Sequence, residues 1–117
     1  MSIDSGALDK RITIERAAAV DDGFSETEGE FAVFIKVWAK KTDASDGERV
    51  RAAEQGAEIT SRFLIRSTER SRTITPKDRL VYHGRAGDRP YNITGVKEVG
   101  DDGLELTATA RLDQGDA

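Results

Sequence analysis

The chain has 117 residues, a length that suits one domain with a single small core. Charged residues make up 34% and aromatics 6%, so core strands must be short and their opposite faces well solvated. The net charge of −4 and pI near 5.1 argue against a free-standing nucleic-acid binder, whose footprint is a basic patch, but not against a protein that surrounds DNA without gripping it.

The absence of cysteine rules out a disulfide framework and thiolate metal sites, and is compatible with a reducing cytoplasm. Met1-Ser2-Ile3-Asp4-Ser5-Gly6 shows no basic n-region and no apolar run, so no signal peptide is expected. No apolar run approaches the roughly 18 residues of a membrane span. No repeat of solenoid or propeller period is visible.

Residues 1–9 are polar apart from Ile3, Ala7 and Leu8. They read as a flexible terminus, or as an arm that orders against a neighbouring subunit. Lys10 to Arg16 alternates, with Ile12 and Ile14 on one side and Arg11, Thr13 and Glu15 on the other, the period of a half-buried strand. Ala17-Ala18-Ala19-Val20 ends it, and Asp21-Asp22-Gly23 reads as a turn. Residues 21–30, with Asp22, Glu26, Glu28 and Glu30, read as an exposed acidic loop. They lack the spacing and terminal Glu of a calcium loop.

Phe31 to Lys41 is the most apolar strand. Val33, Ile35, Val37 and Ala39 take one face, and Phe34, Lys36, Trp38 and Lys40 the other. Phe34 and Trp38 then share a side, about 13 Å apart along the strand. A loop, a short helix or another subunit must cover that side. Trp is enriched at interface hot spots, so both residues are candidates for a subunit contact.

Thr42 to Ala57 breaks the alternation. It carries Asp43, Asp46, Glu48, Arg49, Arg51 and Glu54 around one branched apolar residue, Val50. Glu48 to Gln55 favours one or two helical turns, with Asp46 as N-cap and Gly56 as stop. A segment this long that buries so little is expected to be mobile, and is the leading functional element.

Glu58 to Ser67 is a third strand, with Ile59, Ser61, Phe63 and Ile65 opposite Thr60, Arg62, Leu64 and Arg66. Thr68 to Arg72 is a charged connector and reads as a solvated loop. Thr75-Pro76-Lys77-Asp78 fits a turn with proline at its second position. Leu80 and Tyr82 alternate with Val81 and His83 in a fourth strand. Gly84 to Asp88 connects it to a fifth, which begins at Tyr91 and Ile93. Gly95 interrupts that strand and the apolar phase changes at Val96 and Val99, as at a β-bulge. Gly100-Asp101-Asp102-Gly103 reads as a hairpin turn. Leu104, Leu106 and Ala108 mark the last strand, with a flexible polar tail at 111–117 after it.

Six strands with turn-rich spacing predict an all-β fold: a small antiparallel β-barrel or sandwich over 1–117 as one domain, with one long mobile inter-strand loop at 42–57. No catalytic constellation accompanies it. His83 is the single histidine, no Gly-x-Ser-x-Gly elbow is present and no Gly-rich loop ends in Lys-Ser/Thr. No enzyme activity, metal or cofactor is expected.

Several short motifs stand in a telling order. The first are Leu8-Asp9-Lys10-Arg11-Ile12-Thr13-Ile14, Val37-Trp38-Ala39, a polar insertion, and Phe63-Leu64-Ile65-Arg66. After them come Ile74-Thr75-Pro76-Lys77-Asp78-Arg79-Leu80-Val81-Tyr82, Tyr91-Asn92-Ile93-Thr94-Gly95-Val96 and Leu104-Glu105-Leu106. From about Leu8 to Leu112 the chain resembles the head–tail joining proteins of long-tailed bacteriophages, also called head-completion or stopper proteins, with relatives in prophages and gene transfer agents. The hairpin at Arg85-Ala86 is longer than the resemblance leads one to expect.

The resemblance implies a small β-barrel that assembles in a six- or twelve-fold ring in the neck of a virion or phage-like particle, built in the bacterial host cytoplasm. The ring would lie below portal and adaptor proteins and above tail terminator and tail tube proteins, with no membrane involved. It would continue the channel for packaged double-stranded DNA. A lumenal loop, here Thr42 to Ala57, would help retain that DNA, and its acids (Asp43, Asp46, Glu48, Glu54) would keep it from sticking. Phe34 and Trp38 would pack between subunits. The alternative is a small barrel binding nucleic acid, similar to an oligonucleotide-binding fold, through Arg62, Arg66, Arg70 and Arg72.

Overall fold

The computed structural model describes residues 5–21, 26–56 and 60–110. Within them run six strands: β1 (Lys10–Asp21), β2 (Glu26–Asp43), β3 (Ser61–Arg66), β4 (Arg79–Gly84), β5 (Gly87–Val99) and β6 (Gly103–Ala110). All pair antiparallel and close into a barrel in the order β1-β2-β3-β6-β5-β4. Closure decides for the barrel over the sandwich and leaves no sheet edge around the core. One helix, α1 (Asp46–Glu54), sits between β2 and β3.

The core is the inward half of each alternating strand. Ile12 and Ile14 of β1, Phe63 and Ile65 of β3, Leu80 of β4 and Leu106 of β6 are fully buried. Tyr91 and Ile93 of β5 join them. Phe63 meets Tyr91 edge-on at 5.2 Å between ring centroids and Tyr82 at 6.2 Å. The predicted bulge in β5 is present: the register with β6 slips between Ile93 and Gly95. The β4–β5 connection is shorter than predicted, because Gly84 pairs with Gly87 across Arg85-Ala86. Gly84 has a packing reason as well, since a Cβ there would come within 2.8 Å of the Tyr82 ring. At the N-terminal end, Ser5–Ala7 makes a 3-10 turn and Leu8 is buried. Residues 1–4 and 111–117 lie outside the described residues, as do Asp22, Gly23, Glu58 and Ile59.

Two expectations about β1 and β2 need correction. The run Ala17 to Val20 does not end β1, and residues 26–30 are not a loop. Both belong to a continuous antiparallel ladder that reaches Asp21↔Glu26. Cross-strand pairing overrides the weak strand preference of Ala, Gly and Glu, which depends on context. Fully extended, the 18 residues of β2 would span about 60 Å. The register slips against β1 between Ile14 and Glu15 and between Ala17 and Ala19 bend the ribbon along that length.

The second correction concerns Phe34 and Trp38. Ile14 pairs with Ile35 but Glu15 pairs with Val33, so Phe34 is an extra residue in β2. A bulge of this kind reverses the facing of the residues beyond it and bends the strand. Phe34 therefore packs against the core, whereas Trp38 stands 52% exposed. They do not share a side, and Val33 leaves the apolar face to become 57% exposed.

The predicted proline turn is locked by a buried carboxylate. Asp78 is 5% exposed. Its backbone N–H donates to Thr75 O at 2.9 Å, and its Oδ2 accepts from Thr75 N at 3.0 Å. Arg16 grips the same carboxylate with two bonds, Nε to Oδ1 at 3.0 Å and Nη2 to Oδ2 at 3.1 Å. These bonds hold the Arg16 guanidinium above its ordinary pKa. The clamp ties the turn to β1, and Arg16 also stacks on the Phe34 ring at 3.8 Å. Asp78→Ala would strand the Thr75 amide and leave Arg16 held only by Thr73 and the Phe34 ring, an expected loss of about 1–3 kcal/mol. A urea midpoint unchanged by this substitution would contradict the clamp.

Candidate functional site

The Thr42–Ala57 segment begins in regular structure, contrary to the sequence pattern. Thr42 and Asp43 are the end of β2, paired with Arg62 and Ser61 of β3. Asp43 accepts from Lys41 Nζ at 2.5 Å and from Ser61 Oγ at 2.9 Å. Ala44 is buried, and its N–H donates to Thr60 O at 2.9 Å. The chain then turns into α1.

The N-cap of α1 is Ser45, not Asp46. Ser45 Oγ accepts from Glu48 N at 3.1 Å, and Glu48 Oε1 accepts from Ser45 N at 3.0 Å, a reciprocal capping box. The signal was in the sequence as Ser45-Asp46-Gly47-Glu48. Asp46 instead adds negative charge to the first turn, and Arg51 positive charge to the last, both matching the helix dipole. Gly56, at φ +76°, stops the helix as predicted.

No residue of α1 is buried. Val50 is 57% exposed, and Asp46, Arg49, Arg51 and Glu54 all face solvent. Polar contacts tether the helix, among them the Ala44–Thr60 bond at its base and an ion pair from Glu48 to Arg62 Nη2 at 3.0 Å. The Ser45 amide first, and Arg62 next, hold the Glu48 carboxyl below its ordinary pKa. Lys41 first, then Ser61, do the same for Asp43. A lowered folded-state value contributes stability above the ordinary carboxylate range, and that stability is lost as pH falls through the lowered value. Acidification below about pH 4 should therefore loosen α1 before the barrel, read as faster amide exchange across 46–54. Glu48→Gln has nothing to titrate there and should flatten that dependence; an unchanged acid response would contradict the assignment.

Around the barrel, Arg11 lies over the Trp38 ring at 5.0 Å. A groove of about 440 Å³ beside them is lined by Lys10, His83, Gly84 and Arg85 among others. His83 sits in a relay that the sequence did not reveal. Its Nε2 lies 2.6 Å from Thr13 Oγ1, and its Nδ1 lies 2.7 Å from Asp88 Oδ1. The Asp88 carboxylate only accepts, so Nδ1 carries a proton toward it. Thr13 is 3% exposed, which puts its hydroxyl out of a substrate's reach. The relay ties β1, β4 and β5 together.

The arginines of the nucleic-acid alternative make contacts within the chain. Arg62 holds Glu48, and Arg72 Nη1 donates to Ser67 Oγ at 3.3 Å. Arg70 donates to Phe34 O at 2.7 Å and covers the Phe34 ring at 4.7 Å. Among the described residues no cluster of His, Cys, Asp and Glu is arranged to hold a metal ion, and no helix is long and apolar enough to cross a membrane.

A family model described as phage head completion protein matches residues 3–112. The chain belongs to the phage head completion protein family. The fold is also similar to the solution structure of protein SF1141 from Shigella flexneri 2a, with a TM-score of 0.69 over 96% of this chain and 100% of that one, at 22% identity. A comparison with curated proteins gave no match.

A head completion protein is a structural part of the virion and acts with other head and tail proteins. Two exposed features stand out on this head completion protein: the helix α1 and the outer barrel face around Trp38.

Proposed function

We propose that this chain is a subunit of a six- or twelve-fold ring in the virion neck. The ring continues the DNA channel between portal or adaptor proteins and the tail terminator or tail tube. It assembles in the host cytoplasm. The observation that carries the reading is α1, a helix with no buried residue that a few polar contacts hold to a closed barrel. Such an element contributes little to the core and is free to serve a partner or a lumen. Acids outnumber arginines along Asp43, Asp46, Glu48, Arg49, Arg51 and Glu54, which favours passage of DNA without adhesion. In this reading the 42–57 segment moves to open or close the bore, since its few tethers cost little to break. Trp38 is the subunit contact, and Phe34 supports it only through the bulge. Subunits meet head to tail, the contact type that closes a ring.

Depleting the chain from a particle-producing cell tests this reading. Heads should fill, then lose DNA and fail to join tails. Normal yields of tailed, DNA-filled particles would contradict it.

A further inference from the structure

The outer parts of β1 and β2 form a ribbon whose two long sides lack strand partners among the described residues. β1 pairs with β4 only over Ile12–Glu15, so Ala17–Asp21 has β2 on one side and no strand on the other. β2 pairs with β3 only over Lys40–Asp43, so Glu26–Ala32 has β1 alone. An isolated two-stranded ribbon is marginally stable in water, and a third strand is what stabilises it. The β1 side is also unguarded. Ala17-Ala18-Ala19-Val20 contains no proline and no charge, the usual devices that keep an edge strand from pairing.

We propose that this ribbon is the joint between copies of the chain: the β1 edge of one subunit pairs with the β2 edge of the next. The inference rests on the ring reading above and names its contact. Both edges belong to one element, so identical copies satisfy each other and a closed ring leaves no edge over. A different partner would have to offer two edges to do the same. Charge selects among the pairings. Glu26, Glu28 and Glu30 stand at alternate positions of β2, so two β2 edges brought together would oppose acid with acid. Two β1 edges brought together would leave both β2 edges open. From Ala17 to Val20 the β1 edge carries no charge to oppose the acids of β2, and Asp21 at its end is its one acid.

The natural chain has no cysteine, so introduced ones report alone. Particles carrying Ala19→Cys with Ala32→Cys, or either alone, are oxidised and their proteins separated without reductant. The double variant should give a ladder of the chain linked to itself, and neither single variant should. Amide exchange of Ala17–Asp21 and Glu26–Ala32 in unmodified particles, which needs no particular register, should be slowed by orders of magnitude relative to the isolated chain. Fast exchange at both edges in particles that contain the chain overturns the joint while leaving the ring reading standing. So do links to a different neck protein. Absence of the chain from the particles overturns the ring reading, and the joint with it.

Discussion

Replacing Phe63 by alanine is expected to lower the unfolding free energy by about 3–5 kcal/mol. Phe63 is fully buried, pairs with Lys41 of β2 and Leu106 of β6, and stacks against Tyr91 and Tyr82. The ring thus joins β3 to both of its neighbours and to the β4–β5 hairpin. A small barrel with one core has no second cluster to take up the loss, and a domain of this size is held by only about 5–15 kcal/mol. Urea unfolding reads the effect. Val50→Ala is the control: Val50 is 57% exposed on α1, and its loss should change stability by no more than about 0.5 kcal/mol. Equal effects at the two positions would contradict the division between core and helix.

Exchanging Asp46–Glu54 for a Gly/Ser segment of equal length is expected to separate stability from function. No side chain of α1 is buried, so the barrel should keep its melting temperature to within a few degrees. Particles built with this chain should leak DNA or fail to join tails, because the exchange removes the helix and its acids together. Measured titre and the fraction of DNA-filled heads read the outcome. A normal titre with full heads would remove α1 from DNA retention. A collapsed barrel would show that α1 is structural after all.

The strands were legible wherever one face is buried. Ile12 and Ile14, Ser61, Phe63 and Ile65, and Leu104 and Leu106 alternate in sequence as they do in the barrel. The Thr75–Asp78 turn and the bulge near Gly95 were legible because proline fixes the backbone and glycine frees it to break the strand. The ribbon was not, because Ala17–Asp21 and Glu26–Glu30 are strands by pairing rather than by preference. The bulge at Phe34 was hidden for a related reason: no glycine marks it, and only the register with β1 reveals it. The error it caused placed Phe34 and Trp38 together, whereas one packs inward and the other stands out.

At α1 the composition pointed to the helix, but the cap fell on Ser45, where the Ser-x-x-Glu spacing already pointed. The Thr13–His83–Asp88 relay joins residues 70 positions apart, beyond the reach of local pattern. The family resemblance rested on motif order, and the buried Asp78 now gives one of those motifs a physical reason.

Electron microscopy of the assembled neck, at a resolution that traces main chain, tests the central claim most directly. The account predicts a closed ring of this chain between head and tail, with α1 turned toward the DNA channel. A chain that is present in the neck with α1 turned away from the channel, or that occurs there without forming a ring, would contradict it.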